Sequence, residues 1–274
     1  MISFIADKNR KLTKLALYHC KDVSFSVLKK LIRNKDVKVN GKRISSDVDL
    51  LVGDKVEIYY LSQKKDKFFI VYQDQNVIVI NKKSGYTFDD VYSDLSLNYE
   101  SVFAVHRLDR NTSGLMVFAL NSVAEKELLG GFKNHSFEKI YTAQVKGTLK
   151  NRQGLLDAYL LKDKNKAKVT IYDNYVKNSV AIKTGYSVIS EKEDYSVVKI
   201  KLYTGKTHQI RAHLAHIGHA IVGDGKYGDN AFNKIHKARS QRLSATKLTL
   251  FFNSQSPLYY LNGREFSVEP DFSC

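Results

Sequence analysis

The stretch Val105-His106-Arg107-Leu108-Asp109-Arg110-Asn111-Thr112-Ser113-Gly114-Leu115 is a polar run between two apolar ones, Val102 to Val105 and Leu115 to Ala119. Both flanks are rich in β-branched and aromatic side chains and are expected as strands, so the polar run becomes a loop carried on a rigid frame. Within it Asp109 has Arg107 and Arg110 as neighbours, and cations at that range favour the ionised carboxylate that a nucleophile or base needs. Asp, Asn, Ser and Gly also favour turns. Taken by itself, the loop therefore reads first as a charged structural turn.

Outward from the loop, β-rich runs recur at Ile70 to Tyr72, Val77 to Ile80 and Ile140 to Val145. Val198, Ile200 and Leu202 alternate with Lys199, Lys201 and Tyr203, as in a half-buried strand ending at Thr204-Gly205. Ile210, Leu214 and Ile217 then follow the i, i+4, i+7 spacing of a helix with one apolar face, and Gly218 is placed to end it. Helices are otherwise few, so mixed α and β structure dominated by antiparallel sheet is expected from Phe68 onward. Lys162, Lys164, Lys166 and Lys168 alternate and would share one face of an extended segment, either RNA-directed or merely solvated.

Residues 1 to 60 read as a separate small domain. Leu12, Leu15 and Ala16 form a helical stripe. Ser24 or Ser26 can cap a second helix, with Leu28, Leu31 and Ile32 inward and Lys29, Lys30 and Arg33 outward. Val37 and Val39 alternate up to Asn40-Gly41, a dipeptide that accepts the positive φ of a tight hairpin turn, and a second strand with Ile44 should follow. Lys38, Lys42 and Arg43 lie on or beside this hairpin, so helix and hairpin can present one basic surface to a phosphate backbone. A solvated charged face is the plain alternative. Residues 61 to 67 lack an apolar period and are expected as a linker, which leaves 68 to 274 for the second domain.

With 274 residues, 43% of them hydrophobic, the chain can bury a full core, and 44 Lys and Arg against 28 Asp and Glu leave a formal charge of +16. That excess points to a polyanionic partner, nucleic acid foremost. Cys20 and Cys274 lack metal-type spacing, and no apolar run is long enough to span a bilayer. A cytoplasmic protein without disulfides, metal or membrane span is expected. His213, His216 and His219 fall at intervals of three, but no carboxylate lies among them to complete a metal site. Gly223-Asp224-Gly225-Lys226-Tyr227-Gly228 satisfies a dinucleotide-binding pattern. The acid that such a site needs further on is missing, since no Asp or Glu occurs from Asn230 to Arg264, and a turn beside the working site is the better reading.

The loop around Asp109 closely resembles the signature of the ribosomal large-subunit class of pseudouridine synthases, in which His-Arg-Leu-Asp is followed two residues later by Thr-Ser-Gly. Three further blocks fit that family in order. They are Val71 to Lys82 with Gly85, then Lys139-Ile140-Tyr141-Thr142-Ala143, then Thr204-Gly205-Lys206-Thr207-His208-Gln209-Ile210-Arg211-Ala212-His213, extended by Gly218-His219 and Val222-Gly223-Asp224. Together they span nearly all of residues 68 to 252. Ser26 to Asn34, the hairpin Val37 to Lys42 and Gly53-Asp54 resemble the small RNA-binding domain named after ribosomal small-subunit protein S-four.

The resemblance implies an α+β catalytic domain, with a mainly antiparallel mixed sheet and flanking helices, beside a small α/β RNA-binding domain. It implies a monomer that isomerises uridine to pseudouridine in structured RNA without a cofactor, with large-subunit ribosomal RNA as the expected substrate. By analogy Asp109 attacks or deprotonates the ribose, Arg211 pairs with it across the site, and Tyr141 stacks on the released base. Arg107 is the expected wedge filling the space of the flipped base, with His106 beside it among the RNA contacts. Lys206, His208 and Gln209 are expected to meet phosphate or neighbouring bases, with helix capping and surface charge as their alternative. The rival function is a non-catalytic RNA-binding or ribosome-assembly factor on the same fold, against which intact Asp109, Tyr141 and Arg211 argue. Lys83 and Ala220 stand where the family commonly has proline, and Tyr86 to Asp90 diverges, which bears on target choice.

Overall fold

The computed structural model describes residues 1–20, 23, 25–60, 66–163 and 167–272. Ser24, residues 61–65 of the expected linker, Lys164, Lys166 and Cys274 lie outside the described residues, as does the side chain of Ser26. The chain divides into two compact units, Met1–Lys65 and Asp66–Cys274.

The first unit runs β1 (Ile2–Ile5), β2 (Arg10–Lys11), α1 (Leu12–His19), α2 (Phe25–Arg33), β3 (Val37–Val39), β4 (Lys42–Ile44), β5 (Asp49–Leu50) and β6 (Lys55–Ile58). An antiparallel sheet in the order β1-β6-β3-β4 shares one core with the helices. Val37, Val56 and Ile58 meet Leu12, Leu15 and Ala16 of α1 and Leu28 and Ile32 of α2, because these helical spacings put the apolar side chains on one face. Asn40 and Gly41 turn the β3–β4 hairpin with φ of 49° and 78°. The Asn40 side chain donates to Asp54 Oδ1 (2.8 Å) and accepts from Lys55 N (2.9 Å), which fastens the turn beside β6. Lys29, Lys30, Arg33 and Lys42 are exposed. Lys38 and Arg43 lie over the Tyr59 ring, 5.0 and 5.8 Å from its centroid, and Arg43 Nη1 donates to Lys35 O (2.7 Å), tying the hairpin to the chain that leaves α2.

The second unit runs β7 (Phe68–Gln73), β8 (Val77–Lys82), α3 (Phe88–Asn98), β9 (Phe103–Ala104), β10 (Ser113–Ala119), α4 (Ser122–Lys133), β11 (Glu138–Lys146), β12 (Gln153–Asp163), β13 (Lys168–Tyr172), β14 (Val180–Glu191), β15 (Tyr195–Leu202), α5 (Gln209–His216), α6 (Asn230–Ile235), β16 (Leu243–Thr249) and β17 (Glu265–Ser267). Its strands form one sheet in the order β13-β12-β14-β15-β11-β16-β10-β8-β7, with β9 on β10 and β17 on β16. Among the described strands every pairing is antiparallel except that of β10 with β16. The expected mixed, mainly antiparallel sheet with flanking helices is thus the observed one.

The central strands are apolar on both sides because both faces are covered. Ile78, Ile80, Met116 and Phe118 meet Val91 and Leu95 of α3 and Ile210 and Leu214 of α5, while Val77, Val79, Leu115 and Val117 meet Ala124 and Leu128 of α4. Each such buried side chain contributes roughly 1.5–3 kcal/mol, so the two cores stiffen the middle of the sheet. β15 instead alternates, with Val198 and Ile200 buried and Lys199 and Lys201 in solvent. Helix α5 stops where expected: Gly218 takes a φ of 87°, and His219 N reaches back to Leu214 O (2.9 Å). No described helix is long and apolar enough to cross a membrane.

Candidate active site

Residues 106–112 join β9 to β10, and their backbone is fastened from several elements. Lys82, at the end of β8, is fully buried, and its Nζ donates to the carbonyls of Lys83 (3.0 Å), Tyr86 (2.9 Å) and Arg110 (3.0 Å). Burial pulls this amine down to about 8, although Asp271, Asp109 and Asp90 oppose the shift. Gly85 N donates to Arg110 O, and Arg110 Nε donates back to Gly85 O, both at 3.0 Å. Near β10, Gln241 Nε2 donates to Thr112 Oγ1 (2.8 Å) and Ser113 Oγ to Asp271 Oδ1 (2.6 Å). Gly114 then meets β16 so closely that a Cβ would lie 2.2 Å from Ala245 O, and its φ of 110° is open only to glycine without strain.

The first turn of α5 carries Arg211, which lies off the apolar stripe and is therefore free to serve the loop. Its Nη1 donates to Asp109 Oδ2 (2.8 Å), while Nε and Nη2 grip Asp224 Oδ2 and Oδ1 (2.7 and 2.9 Å) in a two-bond fork. Asp224 is wholly buried and also accepts from Lys226 N (2.8 Å) and Tyr227 N (3.1 Å). Burial alone would raise its carboxyl, but Arg211 and these two N–H groups outweigh it and hold the carboxyl below its usual range. For Arg211 the same contest goes the same way: burial disfavours the charge, and the two carboxylates more than restore it. Tyr227 packs its ring 5.3 Å from the guanidinium carbon, with its hydroxyl 3.0 Å from His208 Nδ1. His208 has a left-handed φ of 56° and brings Nε2 to 3.8 Å from Asp109 Oδ2. Burial lowers its proton affinity despite that carboxylate.

Asp109, Arg211 and His208 line one cavity of about 450 Å³, a volume typical of small-ligand sites. Tyr141 lines it from β11 at a bulge, where Ile140 pairs with Lys247 but Tyr141 with Ala245, an irregularity of the kind that re-aims a side chain. Burial, and then the charge of Asp109, push its hydroxyl above the ordinary tyrosine range, so the phenol keeps its proton. Arg107 and Lys206 are exposed in the same lining.

Two of the expected RNA contacts, His106 and Gln209, line the cavity and are also bonded within the protein. His106 Nε2 accepts from Val117 N (3.0 Å), its ring stacks on Phe132 at 4.3 Å, and burial drops its imidazole to about 3. It is a neutral brace for β10. Gln209 is 2% exposed and its whole amide is engaged. Oε1 accepts from Thr204 Oγ1 (2.9 Å) and Lys206 N (3.1 Å), and Nε2 donates to Lys183 O (3.2 Å) and Thr184 Oγ1 (3.0 Å), fastening the start of α5 to β14. The evenly spaced His213, His216 and His219 bond separately to Thr184 Oγ1, Asp173 Oδ1 and Lys146 O.

The family model of RNA pseudouridylate synthases matches residues 67–216, which contain the Asp109 loop, Tyr141 and Arg211. The chain belongs to that family. It is similar to ribosomal large subunit pseudouridine synthase C of Vibrio vulnificus, at 31% identity over 78% of this chain and 75% of that one. It is also similar to tRNA pseudouridine synthase C of Vibrio cholerae, at 32% identity over 66% of this chain and 81% of that one. In fold it resembles human RNA pseudouridylate synthase domain containing 1, with a TM-score of 0.65 and 24% identity over 75% of this chain and 84% of that one. The protein is thus an RNA pseudouridine synthase. Lys82 and Asp224 lie at the ends of family blocks, but the motifs by themselves assign neither a part in holding the site. Each left a signal: a lysine closing a strand that opens with four apolar residues, and an acid between glycines just before a basic, acid-poor stretch.

Proposed function

We propose that this pseudouridine synthase modifies uridine in large-subunit ribosomal RNA, with Asp109 as the catalytic carboxylate, Arg211 as its partner and Tyr141 as the stacking platform for the base. The observation that carries the assignment is the chain Asp224–Arg211–Asp109, with Arg211 at 2.7 to 2.9 Å from both carboxylates. Arg211 and His208 both approach the same oxygen of Asp109, Oδ2, which leaves Oδ1 for the ribose. The reaction is an isomerisation and needs no redox partner. The N1–C1′ bond breaks, uracil turns, the C5–C1′ bond forms, and the proton on C5 is lost while N1 gains one. Asp109 can begin it by attack at C1′ or by removing the C2′ proton; both routes need an anion beside the sugar. A protonated Tyr141 suits a ring that stacks on the free base.

A base inside folded RNA must first be extruded, at a cost of a few kcal/mol. Arg107, exposed beside the cavity, is the side chain suited to fill the vacated stack. In the first unit, the exposed Lys29, Lys30, Arg33 and Lys42 with the Tyr59-backed Lys38 and Arg43 serve as a second grip on the phosphate backbone. This grip on an extended phosphate backbone favours ribosomal over transfer RNA. The test is pseudouridine mapping of all RNA from cells lacking the gene, complemented with wild type or Asp109→Asn. One or a few large-subunit sites should disappear and return only with wild type. Restoration by Asp109→Asn would remove Asp109 from the chemistry; sites lost only from transfer RNA would overturn the substrate.

A further inference from the structure

We propose that Lys139 and Lys206 form a phosphate-binding subsite in the wall of the active-site cavity, which holds the phosphodiester next to the extruded uridine. The inference rests on the reading that this cavity receives the nucleotide. Alternation along β11 separates two neighbours of opposite charge. Glu138 pairs with Lys201 on β15 (2.5 Å), whereas Lys139 joins the cavity lining. Lys139 and Tyr141 are two apart on that strand and line the same cavity, so they stand roughly 7 Å apart along it. That is comparable with the span from a nucleotide's base to its phosphate.

Lys139 is half-buried, and burial lowers its amine's hold on the proton. Its Nζ lies 5.9 Å from the Phe132 centroid and approaches the backbone next to Lys206, since a Cβ built on Gly205 would come within 3.9 Å of it. His135, Lys139 and Lys206 line this one cavity, and burial first, then the charges of the two amines, lower the imidazole's hold on its proton. Among the described residues of the lining Asp109 is the one carboxylate, and it is taken by Arg211. An ammonium partly withdrawn from water at Lys139 and an exposed one at Lys206, with no carboxylate between them, favour an incoming anion, and RNA brings one with every nucleotide.

The test uses the full chain carrying Asp109→Asn, so that RNA binds without turnover, and in vitro transcribed large-subunit ribosomal RNA as the probe. Binding is measured across a salt series for this parent and for added Lys139→Gln, Lys206→Gln, both together, and Lys199→Gln, whose side chain is exposed on β15. Each neutralised phosphate contributes about 0.7 to 0.9 to the slope of log K against log salt. Lys139→Gln should reduce the slope by about one such contribution and weaken binding several-fold. The double variant should lose little more than the single ones, because one phosphate is shared. Lys139→Arg should restore the slope, which excludes misfolding. An unchanged slope in Lys139→Gln, an equal loss in Lys199→Gln, or two full contributions lost in the double variant would each overturn the subsite. Pseudouridine formation by the Asp109→Asn parent would instead overturn the catalytic reading, and no RNA binding by that parent would overturn the substrate.

Discussion

Arg211 is gripped by Asp224 through two nitrogens and offers Asp109 the third, so the orientation of the guanidinium is set by a residue that itself sits apart from the cavity lining. Replacing Asp224 by Asn keeps the shape but leaves Arg211 with one carboxylate in place of two. Removing one partner of a buried pair costs about 3–5 kcal/mol, and the remaining Asp109 contact puts this case near about 3 kcal/mol. Urea unfolding at pH 7 should show that loss, and kcat should fall at least about tenfold for a barrier increase near 1.4 kcal/mol. The pH dependence follows from the lowered carboxyl of Asp224. A carboxyl held below its unfolded value adds stability that is complete above the unfolded pKa, about 3.9, and is lost as pH falls through the folded one. The gap between wild type and Asp224→Asn should therefore shrink below about pH 4. Equal acid limbs in the two proteins would show that Asp224 carries no such charge. Lys82 works in the opposite range. Its amine titrates near 8 in the fold against 10.5 unfolded, so the unfolded chain binds more protons between these values and stability should rise with pH there. Lys82→Met should abolish that rise and, by releasing the Arg110 carbonyl, speed amide exchange across residues 106–112.

At the scale of elements, the loop is only as well placed as the parallel contact of β10 with β16. Gly114→Ala would drive a methyl into the Ala245 carbonyl and strain φ as well, and backbone at 2.2 Å cannot yield as a side-chain tip can. A loss of more than about 3 kcal/mol is expected in urea, with activity falling alongside because Asp109 is five residues away. This contact also marks where sequence reading succeeds and where it stops. The strands β8, β10 and β11 and the helix α5 are legible because their apolar runs and spacing coincide with burial. Helix α4 is not, since Gly130 and Gly131 interrupt it; Gly131 is there because its missing Cβ leaves room for the Phe137 ring, which would otherwise lie 2.0 Å away. Tertiary packing overrides propensity at that point. Helix α3 begins inside the divergent Tyr86 to Asp90, where Thr87 and Asp90 form a reciprocal cap that family comparison passes over. That Asp109, Tyr141 and Arg211 meet in one cavity is legible through their motifs, whereas the grip of Asp224 on Arg211 is not, because the block that contains Asp224 says nothing of an ion pair. His106 and Gln209 also brace β10 and the start of α5, which only burial and hydrogen bonding reveal.

Across the whole molecule, a charge of +16 makes binding to RNA strongly salt-dependent. If the first unit supplies the second grip, Lys29→Glu, Lys30→Glu and Arg33→Glu together should lower the salt slope by up to about two to three units and raise Kd more than tenfold at 0.15 M salt. An unchanged slope would confine RNA contact to the second unit. The order of the large sheet has a consequence of a different kind. β16 lies between β11 and β10, strands made about a hundred residues earlier, and its register sets Ser113 against Ser244 and Tyr141 against Ala245. During synthesis the two halves of the catalytic centre must wait, with an open seam between them, until this late strand leaves the ribosome and slides in. Contacts that close such long loops are slow to form. An enzyme that modifies RNA therefore completes its own active site only after β16 has been made, and chains truncated before residue 243 should be inert however well their N-terminal halves have folded.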